Sequence, residues 1–384
     1  MFYYLSQFVL NRSSETNWAD PLSFLRLFRY ITLRSAGAAV TALILSWWLG
    51  PKIIAWLNRV KFGQDYADKA EAAGGLTARL TSKKGTPTMG GILIVTVMDV
   101  TALLWAQWNT LVQLTLLSVL VLAGLGFYDD YAKITQQSSR GTASHVKLWV
   151  QFVLAIFIAF YLWRVPATSK LISEVMVPFF KHPILTGVAG IVVGLVLTSL
   201  TIVGSSNAVN LTDGLDGLAI GCTLIVSFVF LVLTYVAGHA KVAEYLQVPH
   251  VVGAGELTVF CAAMIGAGLG FLWFNCHPAQ VFMGDTGSLA LGGALGIMAV
   301  LIHQPLVLMI AGGVFVVEAV SVMLQTGYFK YTRKRYGAGQ RIFLMAPLHH
   351  HFEKKGWPES QVVTRFYILC ILCAVMALST LKIR

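Results

Sequence analysis

The sequence predicts an all-α protein that crosses a membrane about ten times. Three observations carry that expectation. The 384 residues are 57% hydrophobic and only 12% charged, against ~25% charged in a soluble domain. The mean hydropathy is +0.71, and apolar runs of ~20 residues recur, the length a helix needs to span ~30 Å of hydrocarbon. Lys and Arg collect in a few loops between those runs. The net charge of +11 therefore reads as membrane topology rather than a nucleic-acid surface. No internal repeat is visible, so 1–384 reads as one integral membrane domain.

The elements follow in order. Residues 1–20 are polar and aromatic, without the basic start and short apolar core of a cleavable signal peptide. Helices are expected near 24–49, 89–107, 112–129, 147–165, 184–204, 215–237, 256–275, 287–303, 306–329 and 362–381. The gaps 107–111 and 302–305 are short enough to be tight turns. The third window closes on Asp129-Asp130, and the fifth opens into the polar stretch 207–217. The eighth begins just after Asp285. Asp99 and Glu318 fall inside the second and ninth windows, and Gly312-Gly313 gives the ninth a place to bend or pack closely. The five cysteines lie in or beside apolar segments without zinc spacing, and no disulfide is expected.

Loops taken alternately place 51–88, 130–146, 205–214, 276–286 and 330–361 on one side. Lys and Arg are far denser there than in the opposite internal loops, which hold Arg164, Lys170, Lys181 and Lys241. The positive-inside rule makes the first side cytoplasmic, with both termini outward (periplasmic). Arg26, Arg29 and Arg34 run against that bias.

Every acidic motif falls on the basic side. A carboxylate at mid-membrane costs about 2.5–3.5 kcal/mol on insertion scales, yet three apolar segments end on carboxylates. One shared polar site, gathered around a divalent cation, accounts for all three. Asp129 and Asp130 repel each other, which a cation relieves, leaving one as a base. Lys133 lies four residues after Asp129 and shares its face if the helix continues. In 207–217, Asn210, Asp213 and Asp216 recur every three residues, and Gly214 and Gly217 permit close backbone approach. Asp285 sits where a helix N-terminus favours an anion and offers magnesium one hard oxygen. Phe282 is able to stack on a planar base. Lys83-Lys84-Gly-Thr-Pro-Thr88 precedes a helix with the ammonium and hydroxyl groups that hold phosphate, but without the Walker order. His349, His350 and His351 stand together in the last basic loop, able to meet phosphate or move protons.

These strings resemble the polyprenyl-phosphate N-acetylhexosamine-1-phosphate transferase superfamily, from about Lys52 to the C-terminus. Within it, 347–353 and 207–217 are similar to the branch that uses UDP-MurNAc-pentapeptide. The resemblance implies a ten-helix enzyme of the bacterial inner membrane, usually a homodimer, with a cytoplasmic active site. It implies transfer of phospho-MurNAc-pentapeptide from UDP to undecaprenyl phosphate, giving lipid I and UMP, with Mg2+ required. By motif match, Asp285 is the magnesium ligand. Asp129 and Asp130 are the catalytic pair, with Asp129 the base on the lipid phosphate. Asn210, Asp213, Gly214, Leu215, Asp216, Asn275 and Phe282 form the uridine and nucleotide region. Lys83 or Lys84, Thr88 and Lys133 meet phosphates. His349, counted among the catalytic residues, borders the sugar-phosphate with His350 and His351. Two rivals remain at this point: a sister transferase acting on UDP-GlcNAc, which the 347–353 loop argues against, and a secondary transporter. Transporters place carboxylates near mid-membrane between repeats, neither of which is seen here. A non-catalytic scaffold leaves the acids unexplained.

Overall fold

The fold is taken from a computed structural model, which describes residues 1–13, 22–60, 85–135 and 141–381. Lys83 and Lys84 lie outside the described residues. All regular elements among them are helical. They are α1 (Phe2–Ser13), a 3-10 turn (Ser23–Arg29), α2 (Ile31–Arg59), α3 (Gly91–Trp105), α4 (Thr110–Thr135), α5 (Ser144–Arg164), α6 (Lys170–Ser173) and α7 (Gly187–Thr212). They continue as α8 (Leu218–Gly238), α9 (Ala240–Leu246), α10 (Gly255–Asn275), α11 (Gly284–Leu301), α12 (Pro305–Ala311), α13 (Gly313–Tyr336), α14 (Leu348–Lys354) and α15 (Glu359–Ser379). An isolated antiparallel bridge joins Val175 and Leu185.

Each of the ten expected windows coincides with a helix or a helix pair, and the protein is an all-α polytopic membrane protein. Among the described residues, eight helices are long and apolar enough to cross a membrane. The ninth window, 306–329, is not one straight helix. It breaks at Gly312 into α12 and α13, bent by 85°, where Gly312-Gly313 carries no side chains to hold the turn in line. The second window is α3, only 15 residues, or ~22 Å at 1.5 Å per residue.

Several boundaries moved: the first helix runs on to Arg59 rather than 49, the third to Thr135 rather than 129 and the ninth window's helix to Tyr336 rather than 329. The fifth helix runs on to Thr212, eight residues beyond 204, so Asn207 and Asn210 are helical and not in a loop. The first begins at Ile31 rather than 24, and 23–29 form a 3-10 turn.

α11 is the axle of the bundle. From Thr286 to Leu301 every residue is buried, and α7, α4, α3 and α8 pack around it. Small residues set the spacing, as expected where lipid supplies no hydrophobic drive between helices. A Cβ on Gly126 of α4 would stand 2.2 Å from the Asp285 carbonyl oxygen, and one on Gly91 of α3 would stand 2.1 Å from the Gly287 nitrogen. Backbones therefore touch at the end of the bundle where Asp285 lies.

Candidate active site

Four helix ends meet at that point: the C-terminal turns of α4 and α7 and the first turns of α5 and α11. Asp129 and Asp130 come from α4, Lys147 from α5, Asn210 from α7 and Asp285 from α11. One carboxylate oxygen from each of Asp129, Asp130 and Asp285 falls in a group whose members lie within 4.8 Å of one another. α4 continues past the acidic pair, so Lys133 does share the face of Asp129. Its Nζ lies 2.7 Å from Asp129 Oδ2 and 3.1 Å from Asp285 Oδ1. Lys147 Nζ lies 2.7 Å from Asp129 Oδ2 and 2.7 Å from Asp285 Oδ2. Two ammonium groups thus bridge Asp129 to Asp285.

The adjacent acids have different environments. Asp130 is 1% exposed and accepts from the Asp285 amide at 3.1 Å, the Thr286 amide at 3.0 Å and the Thr286 hydroxyl at 2.9 Å. It caps α11 from a neighbouring helix, satisfying amide donors that the first turn leaves unpaired. Asp129 accepts from the Thr142 amide at 2.7 Å and otherwise faces the lysines. Asn210 donates from Nδ2 toward Asp285 Oδ1 at 3.0 Å and toward Ser288 Oγ at 2.8 Å.

Asp213 follows α7 and completes the negative side of the cluster. Burial, with Asp285 and Asp130 close by, holds its carboxyl above the usual carboxylate range, although the Gly284 amide pulls the other way. Even with Asp213 left out, the carboxylates of Asp129, Asp130 and Asp285 exceed the two lysines in formal charge.

One helical turn deeper runs a neutral polar belt. Asn207 Nδ2 donates to Gln151 Oε1 at 2.7 Å, Gln151 Nε2 to Ser206 Oγ at 3.2 Å, and Ser206 Oγ to the Leu289 carbonyl at 3.0 Å. These residues lie three or four positions from Asn210, Lys147 and Asp285, so the belt fixes α5, α7 and α11 beneath the charged layer. Thr88 is buried beside Gly284, whose added Cβ would meet its hydroxyl at 3.1 Å. Its segment is laced to the stretch before α11: Phe282 N donates to the Pro87 carbonyl at 2.9 Å and Gly90 N to the Phe282 carbonyl at 2.8 Å. The Phe282 side chain is half-buried.

The remaining candidates divide. His349 is fully buried. Its amide donates to Glu318 Oε1 at 3.1 Å, and its Nδ1 lies 3.2 Å from Glu318 Oε2. This pairing accounts for the acid inside the ninth window. Nε2 points at Gly214, where an added Cβ would stand 2.2 Å away. His350 Nδ1 pairs with Glu353 at 2.7 Å, and His351 Nδ1 accepts from the Leu344 amide at 3.1 Å. Asp216 turns away from the acidic cluster: its Oδ2 lies 3.1 Å from His277 Nδ1. Asn275 is buried and bridges backbone, accepting from Gly217 N and donating to the Val281 carbonyl. Leu215 is buried in the apolar core.

Sequence reasoning missed Lys147 as a site residue. It reads as an ordinary basic flank of an apolar helix, and only the docking of α5 on α7 and α4 directs it inward. Thr142, Thr286 and Ser288 were missed for the same reason.

The phospho-N-acetylmuramoyl-pentapeptide-transferase signature matches residues 83–95, and the glycosyl transferase family 4 model matches residues 112–303. The transferase of that name from Opitutus terrae is 50% identical over 366 residues, 95% of this chain and 98% of its own length. The chain belongs to the phospho-N-acetylmuramoyl-pentapeptide-transferase family. The Solidesulfovibrio magneticus member is 52% identical over 363 residues, 94% of this chain and 96% of its own. The Methylacidiphilum infernorum member is 48% identical over 368 residues, 96% and 98% respectively. The family match covers all four helix ends that build the charged cluster.

Proposed function

We propose that this protein transfers phospho-MurNAc-pentapeptide from its UDP donor to undecaprenyl phosphate. The products are lipid I and UMP, and the reaction is the first membrane step of peptidoglycan synthesis. One observation carries the reading: in a chain about half identical to such transferases over nearly its whole length, Asp129, Asp285, Lys133 and Lys147 meet at one end of the bundle.

The chemistry follows from the charges. An oxygen of the lipid phosphate attacks the sugar-bearing phosphorus of the donor, and the bond from that phosphorus to the UMP oxygen breaks. Such a reaction needs positioning and charge neutralisation more than covalent help. Asp129 takes the proton of the lipid phosphate, whose second pKa lies at about 6. Lys133 and Lys147 exchange part of their carboxylate contacts for phosphate oxygens. Asp130 keeps α11 seated, so Asp285 stays aimed at the same point. Asp213 and the Gly214 backbone face the nucleotide, with His349 behind them. Lys83 or Lys84 and Thr88 supply further phosphate contacts, and Phe282 stacks on the uracil. Leu215, Asp216 and Asn275 shape the nucleotide side, and His350 and His351 border the sugar-phosphate.

The donor set fits magnesium: hard carboxylate oxygens from Asp285 and the neighbouring Asp129, in a cluster whose acids outnumber its lysines, while the oxygens of Asp130 are taken up by the first turn of α11. Bound there, the ion polarises the diphosphate and offsets the charge of the leaving UMP. We assign the site to the cytoplasmic face of the bacterial inner membrane, because the basic loops fall on that side, and the enzyme to a homodimer, as the superfamily resemblance implies.

The test is UMP release from UDP-MurNAc-pentapeptide and undecaprenyl phosphate by the purified full chain, with UDP-GlcNAc in a parallel arm. Release with the first donor and none with the second is expected. Turnover of UDP-GlcNAc alone reassigns the donor, and solute transport without UMP release overturns the enzyme reading.

A further inference from the structure

α7 ends at Thr212 and α8 begins at Leu218, so five residues reverse the chain. This turn is held from two sides. Asp213 faces the acidic cluster, while Asp216 is drawn the opposite way. The Asp216 amide donates to Glu359 Oε1 at 2.8 Å, and its Oδ2 accepts from the Ala279 amide at 3.2 Å. His277 Nδ1 lies 3.1 Å from Asp216 Oδ2 and 3.2 Å from Glu359 Oε2. Gly217 adopts φ +79°, a left-handed conformation glycine takes without strain. Its amide donates to Asn275 Oδ1 at 3.1 Å, and its carbonyl accepts from the Tyr367 hydroxyl at 2.7 Å. Glu359 and Tyr367 both belong to α15, and Glu359 is 7% exposed.

An Asp, a His and a Glu this close resemble a cation site. The surrounding donors argue otherwise. Two backbone amides point into the carboxylates, where a cation would be repelled by N–H dipoles. The arrangement is that of a clamp closed on a turn.

We propose that Glu359, acting with Tyr367 and His277, is a positioning residue that sets the 213–217 turn for the nucleotide half of the donor. This rests on the assignment of that turn to nucleotide binding made above. Gly214 and Leu215 lie between the two anchors, so any slack in the α15 anchor displaces the backbone that meets the nucleotide. The Asp129–Asp285 cluster is anchored separately, through α4, α5 and the capping of α11, and does not feel that slack. Loosening the clamp therefore weakens capture of the UDP donor and leaves lipid-phosphate binding and the chemical step in place.

The experiment measures UMP release by the full chain, varying the UDP donor at saturating lipid phosphate and then the reverse. Glu359→Ala and Tyr367→Phe are expected to raise the donor KM about 5- to 20-fold, the scale of one or two lost hydrogen bonds. The lipid-phosphate KM and kcat stay within about twofold of wild type. Glu359→Gln keeps an acceptor for the Asp216 amide and recovers most of the donor KM. Tyr367→Phe keeps the ring against Gly221 and removes only the hydroxyl, so it answers even where Glu359→Ala fails to fold. Equal rises in both KM values, a fall in kcat at constant KM, or unchanged kinetics in Tyr367→Phe overturns the proposal. Absence of turnover in wild type overturns the assigned reaction instead.

Discussion

Two groups of buried charge sit at opposite ends of the bundle, and they differ in balance. At one end Arg34 of α2 meets Glu256 of α10 through two bonds, Nη1 to Oε2 at 2.5 Å and Nη2 to Oε1 at 2.6 Å. The Gln107 amide adds a third donor to Oε2 at 2.7 Å. One cation matches one anion, and both carboxylate oxygens are used. At the other end three carboxylates surround two ammonium groups, and both lysines are shared between Asp129 and Asp285. The matched pair has no net charge left to offer a ligand. The unmatched group attracts positive charge, and its lysines can release carboxylates to take phosphates. Burial alone therefore does not mark a functional charge; imbalance does.

Five variants test that contrast. Asp285→Asn, or removal of divalent cations by chelation, should reduce UMP release by on the order of 10³-fold or more, with the variant's thermal unfolding close to wild type. Full activity in either arm would falsify the assignment of Asp285. Lys147→Met should lower kcat/KM by about 10²-fold, and an unchanged value would show that Lys147 only balances charge at rest. Glu256→Gln should leave kcat/KM of the folded fraction unchanged while costing about 3–5 kcal/mol of stability, because Arg34 is then buried without its counter-charge. Denaturation in detergent checks this. Replacing both partners, Arg34→Met with Glu256→Leu, should recover most of that loss. An activity defect that persists in the stable double variant would break the comparison. The smallest effect is expected for Arg365→Ala, whose guanidinium lies 3.9 Å from the Trp357 ring centroid. It should cost about 0.5–1 kcal/mol in the same denaturation series and leave the kinetics alone.

The positions of the apolar helices were legible because hydrocarbon imposes length and composition on any segment that crosses it. The link from Asp129 to Lys133 was legible because it is set by one helical turn. Where the reading failed, long-range contacts were responsible. The fifth helix was ended too early because Asn207 and Asn210 look like loop residues. Their amides are in fact satisfied by Gln151, Asp285 and Ser288 on other helices, which removes the cost of keeping them helical. Asp213 and Asp216 looked equivalent by spacing, yet one faces the acidic cluster and the other faces α15. Glu318 gained a meaning only when His349 was found against it.

The sequence by itself determined that this chain is a bundle of membrane helices with its acids and bases gathered toward one side. Hydropathy and charge placement act residue by residue and need no partner. Only the tertiary structure decided which of those acids share counter-charges, that Asp130 caps α11 beside an Asp129 bound by lysines, and that Lys147 belongs to the group. Those outcomes depend on how four helix ends dock, through glycine contacts and a polar belt between segments far apart in the chain.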